Sequence, residues 1–311
     1  MLCRAALSLL LLSFASAAER RVAITIDDLP VAQSGRNACE FSRLQDLTRR
    51  LLGPFRAAQV PLTGFVVAGS CAVISVEQRR GVLRLWTGAG AELGNHTYTH
   101  PGLNTTPVEE YERDILRADA ALKQLLGTDR IRYFRSPMLH TGADRATKQR
   151  LERFLDDHGY QQAPVTFDNA DWMFAYVYAD ARGCQDAKLA GRVRDAYVPY
   201  MESIVEFFEK RAVEVVGREI SQILLIHANR LNAEMAPRLL AMLKRRGYRF
   251  VSLEEALQDD AYGLPNEYAG KGGFSWIHRW SMTKGMPNKG EPDEPAWLRQ
   301  EYEKIAAREK K

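Results

Sequence analysis

An α/β fold of parallel strands, either an open sheet or a barrel, is what this sequence predicts, and three observations carry the prediction. Short apolar runs alternate seven times with long amphipathic stretches. The composition, 46% hydrophobic and 26% charged over 311 residues, supplies the core that such a fold needs. Most of the chemically reactive side chains follow directly on the apolar runs. In parallel β/α folds the carboxyl ends of the strands make up one face, and that face carries the chemistry.

The chain opens with "MLCRAALSLLLLSFASAAER", which joins Arg4, an apolar stretch from Ala5 to Phe14 and the small residues Ala15, Ser16 and Ala17. This reads as a secretory leader over residues 1–17, too short and wrongly flanked for a membrane span, and it predicts a periplasmic or secreted protein. No later stretch is apolar for long enough to span a bilayer. Cleavage would lower the formal charge of +4 by one, through loss of Arg4. Lys and Arg are scattered among acids, with no basic stripe interleaved with aromatics, so nucleic acid is not an expected partner. No protein partner is evident either.

The predicted strands lie near Val22–Ile26, Leu62–Val67, Ala91–Gly94, Ile131–Phe134, Ala163–Phe167, Ile223–Ile226 and Tyr248–Val251. Between them, segments such as "FSRLQDLTRRLLGPFRAAQ", "VEEYERDILRADAALKQLLG" and "MAPRLLAMLKRRG" repeat apolar residues at three- and four-residue spacing, as helices do. The second carries a start signal, with Thr106 as N-cap, Pro107 at the first helical position and Glu109 three beyond the cap. Connections of this kind predict right-handed crossovers. Residues 18–258 are assigned to this unit. From about Asp259 the chain becomes rich in Gly, Pro and aromatics, so residues 259–311 are expected to form an irregular extension, closed by a charged helix from about Pro295 to Lys310. Within it, His278 and Trp280 have two readings, groove lining or an aromatic patch over the core. After the leader the chain keeps Cys39, Cys71 and Cys184. A single disulfide, such as Cys39 to Cys71, would leave an odd thiol, and no CxxC spacing points to a zinc ribbon.

The reactive residues are Asp27 and Asp28 after the first run, His96 and His100 after the third, Arg135 after the fourth, Asp168 and Asp171 after the fifth, and His227 after the sixth. In "AITIDDLPV" two like charges stand side by side, which is tolerable at a solvated turn, or where one carboxylate faces a metal and the other a proton to be moved. In "GNHTYTHPGLN" the histidines are four apart, so on a helical turn both would face one ion. Two histidines and one carboxylate leave a coordination position for water, the pattern of catalytic rather than structural zinc. Asp28 is the third ligand on this reading and Asp27 the general base.

The ordered set "TIDD", "HTYTH", "RSP", "DNADW" and "LLIH" resembles the motifs of the polysaccharide deacetylases, carbohydrate esterase family four, over about residues 20 to 257. The resemblance implies a distorted (β/α) barrel of about seven parallel strands. It implies a deacetylase in which Asp28, His96 and His100 bind a divalent metal, usually zinc, with cobalt, nickel or manganese as substitutes. It makes Asp27 the base, Arg135 its partner and His227 the acid that protonates the leaving amine, with Asp171 or Asp168 orienting that histidine. Trp172, Tyr98 and Pro137 would contact substrate, and a backbone N–H of the Thr97–Thr99 turn would assist the oxyanion.

Two departures from the family pattern stand out: Leu29 where the first motif has glycine, and Met138 and Leu139 where the third has an aromatic. The implied substrate is an N-acetylated glycan such as peptidoglycan, a chitooligosaccharide or an exopolysaccharide. An O-acetyl ester or a small non-sugar amide would suit the same site, and a barrel that holds glycan without cleaving it is the reading from another class. No G-x-S-x-G elbow or phosphate loop is present, and "GAGAELG" misses a dinucleotide loop by one residue.

Overall fold

A computed structural model describes residues 19–32, 38–287 and 289–309; the leader predicted over residues 1–17 lies outside them. In chain order the elements are β1 (Arg20–Leu29), α1 (Phe41–Ala57), β2 (Leu62–Val66), α2 (Val76–Gly88), β3 (Glu92–Asn95), α3 (Val108–Leu126), β4 (Tyr133–Phe134) and α4 (Arg145–Asp157). They continue with β5 (Gln161–Gln162), α5 (Asp171–Gly183), α6 (Ala187–Val216), β6 (Gln222–His227), α7 (Arg230–Arg245), β7 (Tyr248–Val251), α8 (Leu253–Ala256), α9 (Trp276–Thr283) and α10 (Ala296–Glu309).

All strand pairings are parallel. The sheet runs β5-β4-β3-β2-β1-β6, with β7 against β1. The central strand β1 is buried almost along its whole length, and its Val22, Ile24 and Ile26 explain why: β-branched side chains suit a pleated surface packed on both faces. Helices cover the outside, which curls the sheet into the predicted distorted barrel. Closure between β5 and β6 rests on the segment after β5. There the N–H groups of Thr166 and Phe167 donate to Ile223 O, both at 3.0 Å, and Leu225 N–H donates to Phe167 O at 3.3 Å.

Four local expectations are corrected. The third helix begins at Val108, with Pro107 at the N-cap and no side-chain cap, and Thr106 is extended at the end of a short 3-10 turn. The expected strand over Ala163–Phe167 is reduced to the pair Gln161–Gln162 and one bridge from Phe167 to Leu224, because its backbone turns from β4 toward β6. His96 and His100 are not on a helix. The irregular extension contains a real helix, α9, whose residues Trp276 to Ser281 are all buried. The charged terminal helix is present as α10 and packs on α5.

Leu29, in place of the family's glycine, is fully buried, and Gly64 of β2 makes the room. A Cβ on Gly64 would lie 2.7 Å from the Leu29 Cδ2, so the larger residue on one strand is matched by the smallest on its neighbour. Cys39 and Cys71 form a disulfide that ties the approach to α1 to the turn after β2, and Cys184 is free and exposed. No helix among the described residues is long and apolar enough to cross a membrane.

Candidate active site

Strand register brings the first pair of groups together. β1 and β6 are neighbours with Asp27 opposite His227, so two residues 200 positions apart end their strands side by side. Asp27 is buried, and the fully buried Arg135 reaches it from the end of β4, with Nη1 3.2 Å from both carboxylate oxygens. The other guanidinium donors are occupied: Nε donates to Ala163 O at 2.9 Å, and Nη2 to Thr25 Oγ1 at 3.2 Å and Pro164 O at 3.3 Å. The guanidinium carbon also stacks over Phe65 at 4.4 Å. Burial draws the Arg135 pKa down, opposed by the Asp27 charge. Arginine remains charged under such a shift, so Asp27 faces a fixed, oriented cation.

Asp28 turns the other way because its backbone is left-handed, with φ 62°. Thr97 and His100 are also left-handed, with φ 68° and 59°. Such backbone costs on the order of 1–3 kcal/mol per residue and persists where the surroundings over-determine it. Here they do. Asn95 Oδ1 accepts from Thr97 N–H at 2.7 Å, Asp114 Oδ2 accepts from the N–H groups of Tyr98 and Thr99 at 2.8 and 2.9 Å, and Thr97 Oγ1 accepts from His100 N–H at 3.0 Å. This loop, rather than a helical turn, brings the two imidazoles together. It also removes an expectation, since all three N–H groups of the Thr97–Thr99 turn are spent and none is free for an oxyanion.

The Nε2 atoms of His96 and His100 lie 3.4 and 3.2 Å from Asp28 Oδ1, and one donor atom from each of the three residues falls within 4.8 Å of the others. Two observations test whether a cation suits this cluster. Asp28 Oδ1 is buried without a hydrogen-bond partner. His96 Nδ1 lies 2.7 Å from Arg135 O, which fixes the proton there and leaves Nε2 as a lone pair aimed at Asp28. A deprotonated carboxylate and two neutral imidazoles fit a divalent metal such as zinc.

His227 is oriented from behind by Asp171. Its Nδ1 lies 2.7 Å from Asp171 Oδ1, while Asp171 Oδ2 accepts from the His227 N–H at 2.9 Å and from Asn232 Nδ2 at 2.7 Å. Asp171 is the first residue of α5, where the helix dipole favours a carboxylate. Burial would lower the His227 pKa, but the charge and hydrogen bond of Asp171, with Asp28 and Asp27 behind them, carry it to about 10. Of the two aspartates left open by the sequence, Asp171 is therefore the one that holds His227. Asp168 bonds its neighbour's amide, Asn169 N–H at 2.9 Å, and lines a cleft instead.

That cleft, about 760 Å³, is bounded by Asp27, His96, His100 and His227 on the strand-end side and by Gly273, Phe274, His278 and residues 289–294 of the extension on the other. Trp172, 44% exposed, stands at its edge with its ring against Tyr302. Tyr98 and Pro137 do not line it. The Tyr98 ring packs between Gly69 and the Arg117 guanidinium, and Pro137 is buried under the turn that presents Met138 and Leu139 to the cleft. His278 lines the cleft, whereas Trp280 belongs to the core.

Sequence reasoning missed Arg279. It is fully buried and donates to Leu139 O and Thr141 Oγ1, both at 2.5 Å, and to Phe274 O at 2.8 Å, so it clamps the Met138–Leu139 turn to the extension. Gly273 meets the same turn, where an added Cβ would lie 1.8 Å from Met138 O. An arginine in a run of aromatics gives no periodic signal that would single it out.

Residues 15–162 match the family described as polysaccharide deacetylase. A chitooligosaccharide deacetylase from Sinorhizobium fredii is 31% identical over 90 residues, 29% of this chain, and the match spans 40% of that relative's length. Among solved structures, the fold is similar to that of a Bacillus anthracis pseudoenzyme of carbohydrate esterase family four, with TM-score 0.52 and 19% identity over 78% of this chain and 66% of that one. A mutant described as a pseudoenzyme of that family with restored enzymatic activity gives TM-score 0.53 and 19% identity, over 78% and 69%. At such identities these likenesses concern the fold alone. With the ordered motifs, they lead to one conclusion: residues 15–162 match the polysaccharide deacetylase family model, and the chain as a whole is similar in fold to members of that family.

Proposed function

We propose that this chain is a metal-dependent hydrolase, exported from the cytoplasm, that removes N-acetyl groups from an N-acetylated glycan. The observation that carries the reading is the convergence on one cleft of three groups: a three-ligand cluster, a carboxylate held by a buried arginine, and an imidazole held by a buried aspartate. Asp28, His96 and His100 would hold the ion, which when bound supplies Lewis acidity to an acyl carbonyl and acidifies water. Asp27 takes the proton from the attacking water, and Arg135 keeps it aimed. His227, with Nδ1 engaged by Asp171, presents Nε2 to the leaving nitrogen and donates its proton there. Trp172 forms an apolar edge for the acetyl group or the sugar ring. A polymeric acetylated substrate agrees with an open cleft and with the chitooligosaccharide relative. The Cys39–Cys71 disulfide agrees with an oxidising compartment, as does the leader read from the sequence.

The test is acetate release from N-acetylglucosamine oligomers and from peptidoglycan by protein stripped of metal and then reloaded with zinc. Release that depends on zinc is the expected result. Failure on both substrates, with stoichiometric zinc bound, would overturn the N-deacetylase reading and turn attention to O-acetyl esters and small amides.

A further inference from the structure

The wall of the cleft formed by the extension carries charge that the reaction does not use. His278 is 3% exposed and lines the cleft among Phe207, Phe208 and Phe274. Neither of its ring nitrogens has a hydrogen-bond partner, although Nδ1 lies 3.2 Å from Glu291 Oε1. A buried polar group without a partner is costly, which points to something that enters from the cleft. Beside it, Asp168 and Glu291 face the same space. The Asp168 carboxyl is pushed above its ordinary range, first by burial and second by the Glu291 charge. The nearby cations are committed elsewhere: Lys289 Nζ lies 2.7 Å from Glu214, Arg299 pairs with Glu294, and Arg279 spends its donors on Leu139, Thr141 and Phe274. Among the described residues, only Asp28, His96 and His100 bring three donor atoms close enough for one metal ion. An ammonium group, which carries several N–H donors, is the kind of cation that two carboxylates and an imidazole facing one space would receive.

We propose that His278, Asp168 and Glu291 form a subsite for a protonated sugar amine, so that the preferred glycan is partly N-deacetylated, with a free amine on a sugar near the one to be cleaved. The choice of an amino sugar rests on the deacetylase reading; the affinity of this wall for an ammonium group does not. The two carboxylates accept from the ammonium, and His278 accepts from or donates to a neighbouring hydroxyl.

The test is calorimetric titration of the zinc-loaded full chain with a glucosamine tetramer and with an N-acetylglucosamine tetramer, at a pH where the amines are protonated. The glucosamine tetramer should bind more tightly, and added salt should weaken it more. Glu291→Gln should lower the ratio of the two affinities about tenfold, the scale of one charge-assisted hydrogen bond, and Asp168→Asn should lower it likewise. Equal affinities, or a ratio unmoved by both substitutions, would overturn the subsite. Acetate release is read separately: none from either tetramer, with the ratio still sensitive to Glu291, would overturn the deacetylase reading and keep the amine site.

Discussion

The two walls of the cleft are built on opposite principles. On the strand-end wall nearly every polar atom has an assigned partner: Arg135 satisfies Asp27, Asp171 satisfies His227, and the main exception, Asp28 Oδ1, sits where two imidazoles converge. On the wall made by the extension, the buried His278 has no hydrogen-bond partner, and Asp168 and Glu291 line the same space. A fully satisfied network fixes geometry, which chemistry requires. An unsatisfied one stores demand for a ligand, which selection of substrate requires.

Substitutions on the strand-end wall should have the largest effects. His96→Ala should abolish both stoichiometric zinc and turnover, checked by elemental analysis beside acetate release; retained zinc would remove His96 from the ligand set. Asp27→Asn should keep the metal yet lower turnover by about 10²–10⁴-fold, the usual contribution of a general base. Arg135→Met leaves Asp27 buried without its cation and should cost about 3–5 kcal/mol in denaturant unfolding. A loss below 1 kcal/mol would mean that the pair is not the support it resembles.

The pH dependence sharpens the comparison. His227 is raised in the folded protein to about 10, so the stability it contributes is complete below the ordinary imidazole value of 6.5 and is lost as pH rises through about 10. As the proton donor it should give turnover an alkaline limb in the same upper range. Asp171→Asn removes the largest raising influence and should move that limb to lower pH; an unmoved limb would separate His227 from the reaction. The smallest effect belongs to the other wall. Gly273→Ala should drive the extension off the Met138 carbonyl, cost about 1–3 kcal/mol, and raise KM more than it lowers kcat.

Much of the strand-end wall was legible because its residues follow apolar runs, and a strand that ends at a barrel's carboxyl face presents what comes next. Hence Asp27, Asp28, His96, His100, Arg135 and His227 could be named together. The histidine pair was legible for the wrong reason: a four-residue spacing imitates a helix, whereas Asn95 and Asp114 shape a left-handed loop to the same end. Tyr98 and Pro137 were misplaced because adjacency to a motif says nothing about the direction of a side chain. The wall formed by the extension was hidden, since Gly273, Phe274, His278 and residues 289–294 belong to no motif, and the extension meets the barrel through long-range contacts such as Arg279 to Leu139.

The sequence by itself determined the alternation of strands and helices and the residues at the strand ends, because hydrophobic period and chain order are local properties. Only the tertiary structure decided that Asp171 rather than Asp168 holds His227, that Leu29 fits because Gly64 faces it, and that the C-terminal segment closes the cleft. Each of these depends on which distant residues become neighbours, and that is set by how the sheet curls and what packs across it.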